Sequence, residues 1–167
     1  MFRVGIGFDL HRLEEGRPLI LGGVKIPFHR GLHGHSDADV LLHALMDAML
    51  GASGLKDIGS YFPPGDRRFE NISSVKLLSE VLELVSSENY EVCNADMVVI
   101  AGAPLLAPFI DSMKANIAAA LELPLGAVSV KATTTEGLGF CGRGEAIAAQ
   151  ATVLLQARTG KRLPPGR

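Results

Sequence analysis

Tryptophan is absent from this 167-residue chain and aromatic residues make up only 5% of it, so little is available to stack unpaired nucleic-acid bases. Cysteine is nearly as scarce: Cys93 and Cys141 form no C-x-x-C pair and no disulfide framework, which points to a reduced, cytoplasmic setting. Neither sign of charge dominates. The 16 basic and 18 acidic residues leave a formal charge of -2, too little positive charge for a protein that binds nucleic-acid phosphates or anionic lipid, so neither nucleic acid nor membrane is expected as a partner. No apolar run reaches the roughly 18 residues of a membrane span. The opening Met1 to Asp9 has neither the basic start nor the apolar stretch of a secretory leader. What remains is ordinary for a folded chain: 47% hydrophobic residues, in a length that suits one domain, expected over residues 1–157 with a flexible tail over 158–167.

The apolar pattern gives an α+β plan. Residues 3–10 alternate, with Val4, Ile6, Phe8 and Leu10 on one face and Arg3, Gly5, Gly7 and Asp9 on the other, the period of a half-buried strand, and His11 continues the second face. Residues 19–26 read as a hairpin around Gly22-Gly23, closed by Pro27. A polar loop over 29–37 then leads into a helix over 38–50, with Ser36 or Asp37 as its N-cap and Gly51 as its stop. Residues 57–71 read as a loop, followed by a helix capped by Ser73 or Ser74 with Leu77, Leu78, Val81 and Val85 as its buried stripe. The run 95–101 is short and β-branched, as in a strand covered on both faces. A third helix spans Phe109 to Leu121, a strand leads from Val128 into Thr133, and 146–155 reads as a strand whose alanines leave a helix open. The fold class is therefore α+β: a mixed β-sheet with helices packed on one face.

Two constellations carry chemistry. Asp9-x-His11 sends two side chains to one strand face and His43 projects from the first helix. One carboxylate and two imidazoles make a three-ligand zinc set with a fourth position open, and Asp39, one turn earlier, is placed to orient His43. The spacing alone also suits a packing histidine. In the segment 131–145, Thr133, Thr134 and Thr135 offer hydroxyls to a phosphate, Arg143 can bind one bidentately, and Glu136 can ligate a hard cation. A threonine-rich strand end with a solvated Arg143–Glu145 pair fits the same residues.

The ordered blocks Gly7-Phe8-Asp9-Leu10-His11, Leu21-Gly22-Gly23-Val24, His35-Ser36-Asp37-x-Asp39-Val40-x-x-His43, Asp57-Ile58-Gly59, Ala101-x-Ala103-Pro104, Lys131 to Glu136, and Gly139-Phe140-x-Gly142-Arg143-Gly144-Glu145 together resemble the 2-C-methyl-D-erythritol 2,4-cyclodiphosphate synthase family from Arg3 to about Ala157. The resemblance implies a lyase of the non-mevalonate isoprenoid pathway that closes a cyclic diphosphate on a cytidine diphosphate substrate and releases CMP. It implies one Zn²⁺ per subunit on Asp9, His11 and His43, with Glu136 holding a Mg²⁺ or Mn²⁺ on the diphosphate. His35 and Thr134 would be the catalytic hydrogen-bonding pair, with Ser36 on the nucleophilic phosphate. Asp57, Ile58, Gly59, Phe62 and Asp66 would meet the methylerythritol. The cytidine would lie along Ala101, Gly102, Ala103, Pro104, Leu105, Leu106 and Ala107, with Thr133 and Thr135, and Phe140 and Arg143 are also expected at substrate. The family is a homotrimer with active sites between subunits, and Phe8, Phe140 and Arg143 match the lining of its central cavity, which binds isoprenoid diphosphates in some members.

Two positions depart from the family pattern. Leu105 stands where many members have lysine, and Phe62-Pro63-Pro64-Gly65-Asp66 is less acidic than the usual loop. The first implies weaker nucleotide affinity or recognition by backbone groups of residues 101–107, and the second leaves Asp66 as the loop's carboxylate. The alternatives are a zinc phosphoester or diphosphate hydrolase, which the same residues would permit, and a non-catalytic trimeric isoprenoid-binding module.

Overall fold

The protein is described from a computed structural model over residues 1–158, so the expected tail lies outside the described residues except for Arg158. The strands are β1 (Phe2–Glu15), β2 (Leu19–Leu21), β3 (Val24–Ile26), β4 (Arg30–Leu32), β5 (Tyr90–Ile100), β6 (Val128–Thr133) and β7 (Ala146–Ala157). The helices are α1 (Val40–Ser53), the single turn α2 (Ile58–Tyr61), α3 (Ser74–Ser87), α4 (Ile110–Ala120) and the single turn α5 (Gly139–Gly142). Five strands form a mixed sheet in the order β4-β1-β7-β5-β6, in which only β5 and β6 run parallel; β2 and β3 make a separate hairpin. The helices pack on one face of the sheet, as the α+β reading expects.

The seam between α1 and β1 sets the geometry of the molecule. A Cβ on Gly5 would overlap the carbonyl oxygen of Ala48, and one on Gly7 that of Ala44, so the helix rests on the bare strand backbone. Ala44, Ala48 and Ala52 supply the matching ridge at four-residue spacing. Across the ladder Gly7 pairs with Ala151 and Asp9 with Ala149, which explains the alanines of β7: they are small because α1 covers them, and the segment is a central strand. On its far side α1 buries Leu41, Leu42, Leu45 and Met49 among the residues of the core, with α3 packed against it.

The apolar alternation of β1 therefore belongs to the outward face. Gly5 and Gly7 are buried, whereas Val4, Ile6 and Phe8 are 70%, 66% and 55% exposed in this chain. Other expectations shift for local reasons. Ala38 adopts φ 57, with Ser36 Oγ accepting its N–H, so the chain turns once more before α1 starts. Asp39, not Ser36 or Asp37, then caps α1, accepting the Leu42 N–H at 3.2 Å. Gly51 lies inside the helix, which stops at Gly54 in the left-handed conformation, φ 78. Residues 30–32 pair with β1 as a short strand inside the expected loop, and residues 58–61 form α2 inside the next. β5 starts at Tyr90 and alternates rather than being covered on both faces: Ala95, Met97 and Val99 are buried, while Asp96 is exposed beside Lys131. No helix among the described residues is long and apolar enough to cross a membrane.

Candidate metal and substrate site

Asp9 and His11 point from β1 toward the helix layer, and His43 faces them from the second turn of α1. The three donor atoms form a tight triangle: Asp9 Oδ2 to His11 Nε2 is 2.8 Å, and His43 Nδ1 lies 3.1 Å from each. Ligand edges of about 3.3 Å are expected around a tetrahedral centre with bonds of about 2.0–2.1 Å, so small outward shifts would admit a zinc-sized ion. Among the described residues this is the one group of three such ligands close enough to share a metal. Burial alone would raise the Asp9 pKa, but hydrogen bonds and charge from His11 and His43 outweigh it and hold the carboxyl well below the usual range. For His11 burial works downward, and the bond to Asp9 prevails and raises it.

Backbone contacts orient the ligands. His11 Nδ1 donates to the His33 carbonyl oxygen at 2.6 Å, which turns Nε2 toward Asp9 and His43. Asp39 does not orient the His43 ring; its buried carboxylate accepts the N–H groups of Gly22 and Gly23 at 2.9 and 2.7 Å, tying the hairpin turn to α1. The His43 ring instead meets two hydroxyls through Nε2, Ser74 Oγ at 3.1 Å and Ser36 Oγ at 3.3 Å.

A cavity of about 470 Å³ opens beside the triangle, lined by His35, Ser36, Asp47, Ile58, Gly59, Phe62 and Pro64 among others. Its upper loop is tightly held: Arg17 donates to the carbonyl oxygens of Gly34 and Ser36, each at 2.6 Å, and the Asn71 N–H bonds to the His35 carbonyl between them. The His35 side chain is left exposed over the cavity. Asp57 stands in a neighbouring cleft, where it caps α2 by accepting the Ser60 N–H at 2.9 Å. Asp66 is not brought to the cavity; its carboxylate is taken by Arg68 at 2.6 Å, and Pro63 and Pro64 form the wall instead.

The second constellation gathers elsewhere in the chain. A cavity of about 300 Å³ is lined by Ala101, Gly102, Ala103, Pro104, Leu105, Leu106 and Ala107 together with Ala132, Thr133 and Thr134, and shares no residue with the metal cavity. Leu105 is exposed on its rim. Thr135 is turned away, donating to the Leu138 carbonyl at 2.5 Å, and Glu136 sits exposed at φ 52 with its N–H on Thr134 Oγ1 at 3.3 Å. Arg143 is paired with Glu145 at 2.7 Å, and Phe140 is exposed. Thus Asp9, His11, His43, His35, Ser36, Ile58, Gly59 and Phe62 come together, whereas Thr134, Glu136 and the 101–107 segment form a separate group.

Sequence reasoning missed Arg17, whose residue type carries no sign that it clamps a loop. It also missed the parts played by Asp37 and Ser74. Asp47 lies one turn after His43 on α1. It lines the metal cavity, where burial raises its carboxyl against the Ile58 N–H bond.

The sequence profile of the YgbB family matches residues 2–156. The chain is 60% identical over 156 residues to 2-C-methyl-D-erythritol 2,4-cyclodiphosphate synthase of Moorella thermoacetica, covering 93% of this chain and 96% of that protein. Among solved structures it is similar to Plasmodium falciparum IspF in complex with CDP, with a TM-score of 0.82 and 34% identity over 95% of this chain and 97% of that one. It is also similar to the bifunctional IspDF from Campylobacter jejuni, with a TM-score of 0.90 and 45% identity over 94% of this chain; the chain spans 42% of that longer protein.

Proposed function

The chain belongs to the YgbB family, and from that premise and its Asp9–His11–His43 donor set we infer that it cyclises 4-diphosphocytidyl-2-C-methyl-D-erythritol 2-phosphate to 2-C-methyl-D-erythritol 2,4-cyclodiphosphate with release of CMP. It is a phosphorus–oxygen lyase of non-mevalonate isoprenoid biosynthesis. An oxygen of the substrate's 2-phosphate forms a bond to the β-phosphorus. The bond from that phosphorus to the oxygen bridging to the α-phosphorus breaks, and CMP leaves with the electron pair. Little covalent work falls to the protein, whose task is positioning and charge compensation.

Asp9, His11 and His43 would hold one Zn²⁺ per subunit and Glu136 a Mg²⁺ or Mn²⁺, and when bound these cations supply Lewis-acid polarisation of the diphosphate and offset the charge that repels an anionic nucleophile. His35, on a loop held at three successive carbonyls, and Thr134 would donate hydrogen bonds to phosphate oxygens as negative charge shifts among them. Ser36 would bind the nucleophilic phosphate. Ile58, Gly59 and Phe62 would wall the methylerythritol, with Asp57 reaching its hydroxyls from beside the cavity, whereas Asp66 stays with Arg68. The 101–107 segment with Thr133 would hold the cytidine largely through backbone groups, since Leu105 offers no charge, and Thr135 is held away by the Leu138 carbonyl.

Each cavity lies in or near the range of a small-molecule site but they share no wall, and the outward face of β1 is apolar. Both features favour a homotrimer whose active sites lie between subunits, the metal cavity of one facing the nucleotide cavity of the next. Phe8, Phe140 and Arg143 would then line a central cavity suited to isoprenoid diphosphates.

The observation that carries this reading is the three-donor triangle at the cavity wall. Phosphorus NMR of products from zinc-loaded wild type with Mg²⁺, beside His43→Ala, tests it. Cyclic diphosphate and CMP are expected from wild type, with turnover of the variant lower by at least about a hundredfold. A linear methylerythritol 2,4-bisphosphate with CMP from wild type would make the protein a zinc hydrolase instead, and bound zinc with no turnover would make it a binding module.

A further inference from the structure

Asp37 precedes α1 by three residues, yet its carboxylate serves α3. Oδ2 accepts the Ser74 N–H at 3.0 Å, and Oδ1 lies 2.5 Å from Ser74 Oγ. Ser73, the residue at the N-cap position of α3, makes no side-chain cap bond, so Asp37 supplies the anion at that helix start. Ser74 is fully buried. A hydroxyl has one proton and a carboxylate can only accept, so Ser74 Oγ gives its proton to Asp37 and presents a lone pair to His43 Nε2, 3.1 Å away. His43 Nε2 must then carry the ring proton, and Nδ1 is left with its lone pair facing Asp9 and His11.

We propose that Asp37 and Ser74 are positioning residues that fix the His43 imidazole in the Nε2–H tautomer and so make Nδ1 a metal ligand. The proposal rests on the metal reading of Asp9, His11 and His43. It also accounts for Ser36: its Oγ accepts the Ala38 N–H at 3.0 Å and faces an N–H at His43, so its own proton is directed to the cavity, where a phosphate oxygen can take it.

The relay has a direction that a packing role lacks. In Asp37→Asn, an amide NH₂ facing Ser74 Oγ would reverse the hydroxyl, which would then donate to His43 Nε2 and drive the ring proton to Nδ1. Ser74→Ala removes the nearer acceptor and leaves only Ser36 Oγ at 3.3 Å, and Ser74→Thr restores it.

The test is zinc affinity by competition with a chromogenic chelator, joined to nitrogen NMR of the histidines in the zinc-free full chain. Expected are an Nε2–H His43 in wild type, zinc binding weakened 10- to 100-fold in Ser74→Ala and Asp37→Asn, recovery in Ser74→Thr, and a shift of the ring proton to Nδ1 in Asp37→Asn. Unchanged zinc affinity in both losing variants, or an Nδ1–H His43 in wild type, would overturn the relay. Should Ser74→Ala fail to fold, Asp37→Asn decides alone through the tautomer. Wild type that takes up no zinc would refute the metal reading, which is a separate outcome.

Discussion

Gly7 shows how much rests on one missing methyl. Its Cβ position is occupied by the carbonyl oxygen of Ala44, and it lies between the strand residues that precede Asp9 and the helix that carries His43. Gly7→Ala forces α1 off the strand. The expected outcome is a loss of about 1–3 kcal/mol in thermal or denaturant unfolding together with weakened zinc binding, and zinc binding at wild-type strength in a destabilised variant would separate the two effects. At this scale residue type picks out Asp9, His11 and His43 as candidate ligands before any fold is known, although their spacing alone also suits packing histidines. The site was illegible where chemistry is supplied by ordinary residues in unusual places. Arg17 acts on two backbone carbonyls, and Ser74 and Asp37 meet across 37 positions of sequence, which no local pattern encodes.

At the scale of elements, capping is where the expectation and the structure diverge most instructively. Three acceptors, Ser36, Asp37 and Asp39, compete for the start of α1, and local preference does not rank them. The left-handed Ala38 decides, freeing Asp37 for α3 and leaving Asp39 to join α1 to the β2–β3 turn. Burial pushes the Asp39 carboxyl up to about 6, against the N–H groups of Gly23, Gly22 and Leu42 and assisted by nearby Asp37. A carboxyl that holds its proton more tightly folded than unfolded stabilises the fold fully below its unfolded value near 4, and that contribution is lost as pH rises through about 6. The free energy of unfolding over this window should therefore fall by an amount on the order of 3 kcal/mol from this group, and Asp39→Asn should flatten the slope in denaturant unfolding; an unchanged slope would assign it to other carboxyls. The helices and the hairpin were readable because their apolar spacing is local. β4 was not, since its three residues owe their conformation to β1 rather than to themselves.

For the whole molecule, the alternation of β1 predicts a half-buried strand but not which face is covered, and the structure places its glycines under α1. A strand with glycine on one face and valine, isoleucine and phenylalanine on the other should bury the latter, and a single chain does the reverse. The proposed homotrimer would resolve the conflict, with the exposed face covered by other copies of the chain. Ile6→Asp is expected to give a monomer in sedimentation, with zinc affinity retained and turnover lost, because the metal and nucleotide cavities would no longer meet. A trimer that persists in this variant would place the interface elsewhere.

The main-chain contact between β1 and α1 acts as a calliper. Most interior spacings depend on which side chains fill the gap and drift as those side chains change. Here the gap is closed by carbonyl oxygen against bare backbone, so the opening that Asp9, His11 and His43 offer is gauged by peptide geometry rather than by side-chain volume.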